Sequence, residues 1–194
     1  MTISLTKTET ALRLWTVSEY HRMAEVGILQ PDDRVELVAG QILRKMSPQK
    51  TPHAAAITRC IRIFSQRFGD AVLVRSQLPV TLNTYSEPEP DIAIVRRDPR
   101  DYLDAHPTPT DVYLIVEISD TTLERDRGIK ATEYGRSGIA EYWVLDVKNR
   151  QLHVFRQPGD RGYEQQAIVP ETESISPVKL GDDRVSVRDI LPPI

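Results

Sequence analysis

Asp91 closes the acidic turn EPEPD (residues 87–91), and Glu117 sits inside the apolar run VYLIVEIS (residues 112–119). A carboxylate at the mouth of one strand and another within the next can be bridged by a hard cation. Consecutive strands are most often neighbours. If these two are antiparallel, the start of the first lies beside the end of the second. At a strand spacing of about 4.8 Å, Asp91 and Glu117 could share a divalent ion. Mg²⁺ (or Mn²⁺) suits such a pair, because it takes one or two carboxylates and completes its shell with waters and phosphate oxygens. Pro88 and Pro90 fix φ on the approach to Asp91 and reduce the entropy lost in placing it. Glu117 lies among Ile115, Val116 and Ile118, where an isolated carboxylate is costly unless it is protonated or paired.

Lys130 is the natural partner. If a helix starts near Leu123 and folds back over the sheet, its rise returns Lys130 by about 10 Å. Glu117 lies about 10 Å before Asp120 along its strand, so the two meet if the helix covers Glu117's face. Asp126, Lys130 and Tyr134 recur at i, i+4 and i+8 and share one helix face. The same spacing also fits a purely structural Glu117–Lys130 ion pair, with Asp91 merely opening a strand.

The elements that must hold these groups are legible around them. Thr16-Val17-Ser18-Glu19 is a capping-box pattern and Gly27 a stop, which predicts a short helix over 17–26. RVELV and QILRKM flank Ala39-Gly40 as a hairpin. Thr51-Pro52 opens a helix over 52–68, with Ile57, Ile61, Phe64 and Phe68 at helical spacing. Strands are expected near 71–82, 90–95 and 111–119, then a polar helix over about 123–136. EYWVLDV pairs with LHVFR, and GYEQQAIV and DRVSVRDI read as further short strands before a final turn. This order predicts an α/β domain with a mixed sheet. VYLIV, apolar on both faces, is its central strand.

The chain of 194 residues is 40% hydrophobic and 27% charged, ordinary for one globular domain. It has no apolar run long enough to span a membrane, and its first residues lack a leader pattern. The single cysteine, Cys60, excludes an internal disulfide framework and a cysteine-based zinc site. Within its helical pattern it reads as a small buried thiol, and the chain as one suited to a reducing cytoplasm. A net charge of −3 and a pI near 5.8 argue against a module that grips nucleic acid mainly through phosphate contacts. They leave room for an enzyme that brings acids and a metal to a phosphodiester. Arg59, Arg62 and Arg67 on the long helix, with Arg96, Arg97 and Arg100, are the candidate basic patches; the other reading is a solvated face. Tyr142 and Trp143 belong to the core or to an interface.

SEPEPDIAIV, VYLIVEISD, DRGIKATEYGRSGIAEYWVLD, RVELVAGQI and SPQKTPH, in that spacing, together resemble the Uma-two family of restriction-endonuclease-like proteins. That family is a divergent branch of the PD-(D/E)XK nuclease superfamily. The resemblance covers about residues 15–156, leaving 157–194 as a C-terminal extension of one domain. It implies a restriction-endonuclease-like mixed β-sheet flanked by helices, with an N-terminal helix and hairpin and extra C-terminal strands. Pro90-Asp91 would be the "PD" and Glu117 the "(D/E)". The usual lysine position holds Ser119, so Lys130 would supply the ammonium from the following helix. Asp91, Glu117 and Lys130 are then the catalytic set, with Asp91 and Glu117 on the metal. Glu36, His53 and Gln77 also match family positions, and with Tyr134 they are accessory candidates.

The resemblance implies a Mg²⁺- (or Mn²⁺-) dependent DNA endonuclease in which Lys130 orients water, aids its deprotonation or stabilises developing charge. A homodimer, formed through paired edges or the exposed face of EYWVLDV, would suit cutting two strands. No organic cofactor is implied. Two alternatives stay open: a nuclease-fold binding module without catalysis, and a metal-dependent hydrolase of another phosphoester.

Overall fold

The computed structural model describes residues 12–45 and 50–193. The leader reading of the first residues and the 46–49 part of QILRKM and SPQKTPH lie outside them. Helix α1 (Val17–Glu25) starts at the expected cap. Thr16 Oγ1 accepts from the Glu19 amide at 3.2 Å, and Glu19 accepts from the Thr16 amide at 3.0 Å. Strands β1 (Val35–Val38) and β2 (Gln41–Arg44) form the expected hairpin. It turns at Ala39 and Gly40, whose φ values of 50° and 72° are the left-handed pair that a two-residue hairpin favours. Helix α2 (Thr51–Phe68) carries Pro52 in its first turn and buries one stripe, Ala56, Ile57, Cys60, Phe64 and Phe68.

The main sheet runs in the order β3 (Val72–Arg75), β4 (Ile92–Arg96), β5 (Val112–Ser119), β6 (Glu141–Asp146), β7 (Gln151–Gly159), β8 (Gly162–Pro170). Its neighbours are antiparallel except β5 and β6. A parallel pair needs a crossover. Here it is a continuous helical path of α3 (Leu123–Arg125), a π turn (Asp126–Lys130) and α4 (Ala131–Arg136). The stripe of α2 covers one sheet face, over Ile92, Ile94, Leu114, Val116, Trp143 and Leu145. Ala131 and Tyr134 cover the other, over Ala93, Val95, Ile115, Tyr142 and Val144. A short pair, β9 (Ser174–Ile175) and β10 (Val185–Ser186), leads into α5 (Val187–Ile190), whose Val187 and Ile190 pack on the α2 side. The mixed sheet with flanking helices is the expected class.

Four expectations change. The strand over 71–82 stops at Arg75, because the left-handed Gln77 (φ 53°) and Pro79 break it. Beyond them the amides of Val80 and Thr81 bond to loop carbonyls of Pro88 and Pro107. The helix over 123–136 contains a π turn. GYEQQAIV belongs to a nine-residue edge strand of the main sheet rather than to a short appendage. The face of EYWVLDV offers no dimer surface: every residue of β6 is buried, and the strand lies between β5 and β7. Tyr142 and Trp143 are core residues, each fully buried.

Cys60 is a free, fully buried thiol, and burial pushes its pKa well up, as expected of an inert packing residue. No helix among the described residues is long and apolar enough to cross a membrane.

The crossover helix seats on the sheet through two glycines. A Cβ on Gly135 would lie 2.5 Å from the carbonyl carbon of Gly162, which is backbone and cannot yield. Gly135→Ala should therefore destabilise the protein by about 1–3 kcal/mol, the usual range for overpacking. Thermal denaturation should show a Tm lower by several degrees. An unchanged Tm would mean that α4 can lift from β8 without cost.

Candidate active site

The antiparallel pairing of β4 and β5 puts Ile92 opposite Val116, which sets Asp91 beside Glu117. The Ile118 amide donates to Asp91 Oδ2 at 2.9 Å, and the Asp91 amide makes a long contact to Glu117 Oε2 at 3.4 Å. Each carboxylate thus meets a backbone amide of the neighbouring strand, and both line one cavity at the strand ends. Asp91 Oδ1 lies 3.2 Å from His53 Nε2, at the start of α2, and accepts from Gln77 Nε2 at 3.3 Å. The bend that removes Gln77 from β3 is what aims its amide here: the Gln77 N–H bonds to the carbonyls of Pro90 and Asp91.

Glu117 shares its sheet face with Ile115, the face the crossover helix covers. Lys130 Nζ donates to Glu117 Oε1 at 2.8 Å, and the Tyr134 hydroxyl donates to the same oxygen at 3.1 Å. Lys130 also lies 2.9 Å from Glu36 Oε1, an ion pair from β1, while Glu36 Oε2 accepts the Glu89 amide at 3.2 Å. Both Lys130, 2% exposed, and Glu36, 0% exposed, are out of water. Asp126 completes the cluster from the same π turn as Lys130. It is 2% exposed; Oδ2 accepts the Thr122 hydroxyl, and Oδ1 has no hydrogen-bond partner. Turns of this kind recur where a helix must aim side chains that regular spacing would not.

The charges around the cavity are nearly matched: Glu36, Glu89, Asp91, Glu117, Asp120 and Asp126 line it together with Arg34, Lys45, Lys50, Arg125 and Lys130, and with His53 beside Asp91. At its buried end Lys130 pairs with Glu36 and Glu117, and Arg125 lies 3.5 Å from Asp126. Burial, and then the neighbouring acids against the pull of Lys130, push the Glu117 pKa up to about 7. Burial also raises Asp126. Burial would lower Lys130, but Glu117, Glu36 and Asp126 outweigh it and hold the ammonium well above its usual range. Burial would raise Asp91 and lower His53; their mutual contact wins in both cases, lowering the acid and raising the imidazole.

Residues of this kind could hold a divalent cation. Asp91 and Glu117 are hard oxygen donors on one cavity, of about 110 Å³, that admits water. Among the described residues no three His, Cys, Asp or Glu side chains form a complete ligand set. Water and phosphate oxygens would have to supply the rest, as they do for Mg²⁺ elsewhere.

The protonation of Glu117 sets a pH dependence. The folded chain holds this proton more tightly than the unfolded chain, whose value is near 4.5. The group therefore adds stability below about pH 4.5 and loses it as pH rises through 7, by up to about 3 kcal/mol. His53, also raised, acts in the same sense. Metal-free protein should lose Tm between pH 5 and 8, with a flatter slope in Glu117→Gln. Equal slopes would remove Glu117 as the titrating group.

The structure thus brings together Asp91, Glu117, Lys130, Glu36, His53, Gln77 and Tyr134. Ser119 remains near the end of β5 with its hydroxyl 3.4 Å from Thr122. The basic groups that line this cavity were not singled out by sequence: Arg34, Lys45, Lys50 and Arg125. Arg34 and Lys45 pair at the open end of the β1–β2 hairpin, while Lys50 caps α2 and Arg125 ends α3. The arginines that were singled out lie elsewhere. Arg96 ends β4 about 16 Å along the strand from Asp91. It pairs with Asp111, while Arg97 pairs with Asp70 and Arg100 with Asp104. Arg59 ties α2 to the carbonyl of Asp189.

Comparison with known proteins gives the family and the fold. The family model described as "Uma2: Putative restriction endonuclease" matches residues 17–186. Among solved structures, the chain is similar to a protein from Anabaena variabilis described as "a putative nuclease belonging to DUF820". The TM-score is 0.69 at 17% identity, over 90% of this chain and 96% of that one. No curated protein matches the chain.

Proposed function

The chain belongs to the Uma2 family of restriction-endonuclease-like proteins, and we propose that it hydrolyses DNA phosphodiester bonds at the Asp91–Glu117 site with Mg²⁺ or Mn²⁺. The observation that carries this reading is that those two carboxylates line one cavity at adjacent strand ends, with a buried ammonium on one of them. When bound there, the cation would polarise the phosphate and lower the pKa of water.

The chain's own residues have distinct tasks. Asp91 and Glu117 present oxygens to the cation. His53 and Gln77 hold Asp91 in place, and the Ile118 amide fixes its second oxygen. Lys130 and Tyr134 hold Glu117, leaving Oε2 turned toward Asp91. Of the three roles open to Lys130, deprotonating water is the least compatible with its raised pKa. It acts instead as fixed positive charge beside the reacting phosphate. Arg34, Lys50 and Arg125 at the rim suit the flanking phosphates.

A binding module without catalysis has one observation in its favour: both oxygens of Asp91 already accept hydrogen bonds. Incubation of plasmid, linear and single-stranded DNA with Mg²⁺ or Mn²⁺ separates the two readings. Hydrolysis should occur in at least one of these, and be lost in Asp91→Ala and Glu117→Ala. Cleavage that survives both substitutions would rule out this site, and metal-independent DNA binding without cleavage would favour the module.

A further inference from the structure

A second cavity, of about 480 Å³, lies against the acid site, and the two share a wall of Arg34, Lys45, Gln77 and Glu89. Its volume is in the roughly 300–1,000 Å³ range of small-molecule sites. Opposite that wall stand Tyr20, Leu29 and Pro31.

Two features indicate that this space is built rather than left over. Helix α1 has no buried residue of its own, so core packing does not explain its position. It is pinned instead by polar contacts: the Tyr20 hydroxyl donates to the Val35 carbonyl at 3.1 Å, and His21 meets the buried Glu87 at 2.5 Å. These contacts hold an aromatic ring over the cavity. Second, two residues of the shared wall, Arg34 (φ 43°) and Gln77 (φ 53°), adopt the left-handed backbone that side chains other than glycine rarely take. Such strain persists where surrounding structure imposes it, and it clusters at ligand sites.

The chemistry on either side of the wall differs. One side offers acids suited to a cation and phosphate. The other offers a phenol ring and the apolar side chains of Ala24, Leu29 and Pro31. Between them, Arg34 and Lys45 place positive charge where a sugar-phosphate linkage would cross, with Lys45 held by Glu89 at 2.8 Å.

We propose that the second cavity receives the base of an unpaired nucleotide adjoining the phosphate at Asp91 and Glu117, making single-stranded or locally unpaired DNA the substrate class. This rests on the nuclease reading for its substrate but not for its test. A base in a duplex must leave the stack to enter such a cavity, at a cost of about a few kcal/mol that single strands avoid.

The test is fluorescence anisotropy of a labelled single-stranded oligonucleotide in Ca²⁺, with one abasic site moved along the strand. Base–aromatic stacking of about 1–3 kcal/mol per base corresponds to about a 5- to 150-fold loss. That loss is expected at one position in the wild type and should vanish in Tyr20→Ala. A matched duplex should bind more weakly. A flat abasic series, no binding of single strands, or tighter binding of the duplex would each overturn the proposal. Cleavage in Mg²⁺ or Mn²⁺, measured separately, keeps the two readings apart. An abasic signature without cleavage defeats the nuclease reading alone, whereas cleavage with a flat series defeats the base cavity alone.

Discussion

Lys130→Met will destabilise the protein by about 3–5 kcal/mol in the absence of any DNA or metal, the usual consequence of removing one partner from a buried ion pair. Methionine fills similar volume, so the loss is electrostatic. Glu36 and Glu117 would be left facing each other without the ammonium that lies 2.9 and 2.8 Å from them. The sign of the pH dependence follows. Glu117 takes up its proton more readily once the pull of Lys130 is gone, so the penalty should be largest near pH 8 and shrink toward pH 5. Denaturant unfolding at the two pH values measures it. Adding Glu36→Gln should recover part of the stability, because one of the two stranded charges disappears. A variant as stable as the wild type at pH 8 would show that Lys130 is not the ion that balances this cluster.

Asp91→Asn should have the largest effect on activity with the least effect on shape. The amide keeps the volume but loses the charge, and its NH2 cannot accept from whichever donor it faces, the Ile118 amide or Gln77. If the cation contributes several kcal/mol of charge stabilisation, at 1.36 kcal/mol per decade the rate should fall by about 10³-fold. A second readout is independent of turnover. His53 is raised by its contact with Asp91 against the pull of burial. In Asp91→Asn its titration, followed by NMR, should move down. Loss of activity with an unmoved His53 would argue that the variant disturbs something other than this pair.

The parts of the site that were legible in the sequence are those held together by local rules. Asp91 and Glu117 meet because antiparallel neighbours align one strand's start with the next strand's end, and Lys130 reaches Glu117 because helix rise and strand rise cancel. Glu36, His53 and Gln77 stand on β1, α2 and a bend after β3. Only the family resemblance pointed to them, since nothing in their spacing relates three elements that far apart. Gln77 illustrates the limit further. VLVRSQLPVTL alternates like a strand, but a left-handed residue breaks it, and that break is what turns the Gln77 amide toward Asp91. Asp126 was visible as a residue on Lys130's helix face. Its burial and its unpaired oxygen depend on a π turn, a one-residue irregularity without a sequence signature. The rim cations have the same difficulty: surface charges acquire meaning only from which acids the fold places beside them.

The proposed function stands on Asp91 and Glu117 forming one cation site. Calorimetric titration of Mn²⁺ near pH 7, with an uncleavable single-stranded phosphate analogue present, reads that binding. Running it in two buffers of different ionisation enthalpy, with Glu117→Gln in parallel, adds a proton count. Wild type should bind the ion and release a proton on doing so, because Glu117 is held partly protonated near pH 7. Glu117→Gln should lose both the binding and the proton release. Wild type that binds no ion even beside the phosphates, or a variant that binds it equally well, would contradict the claim.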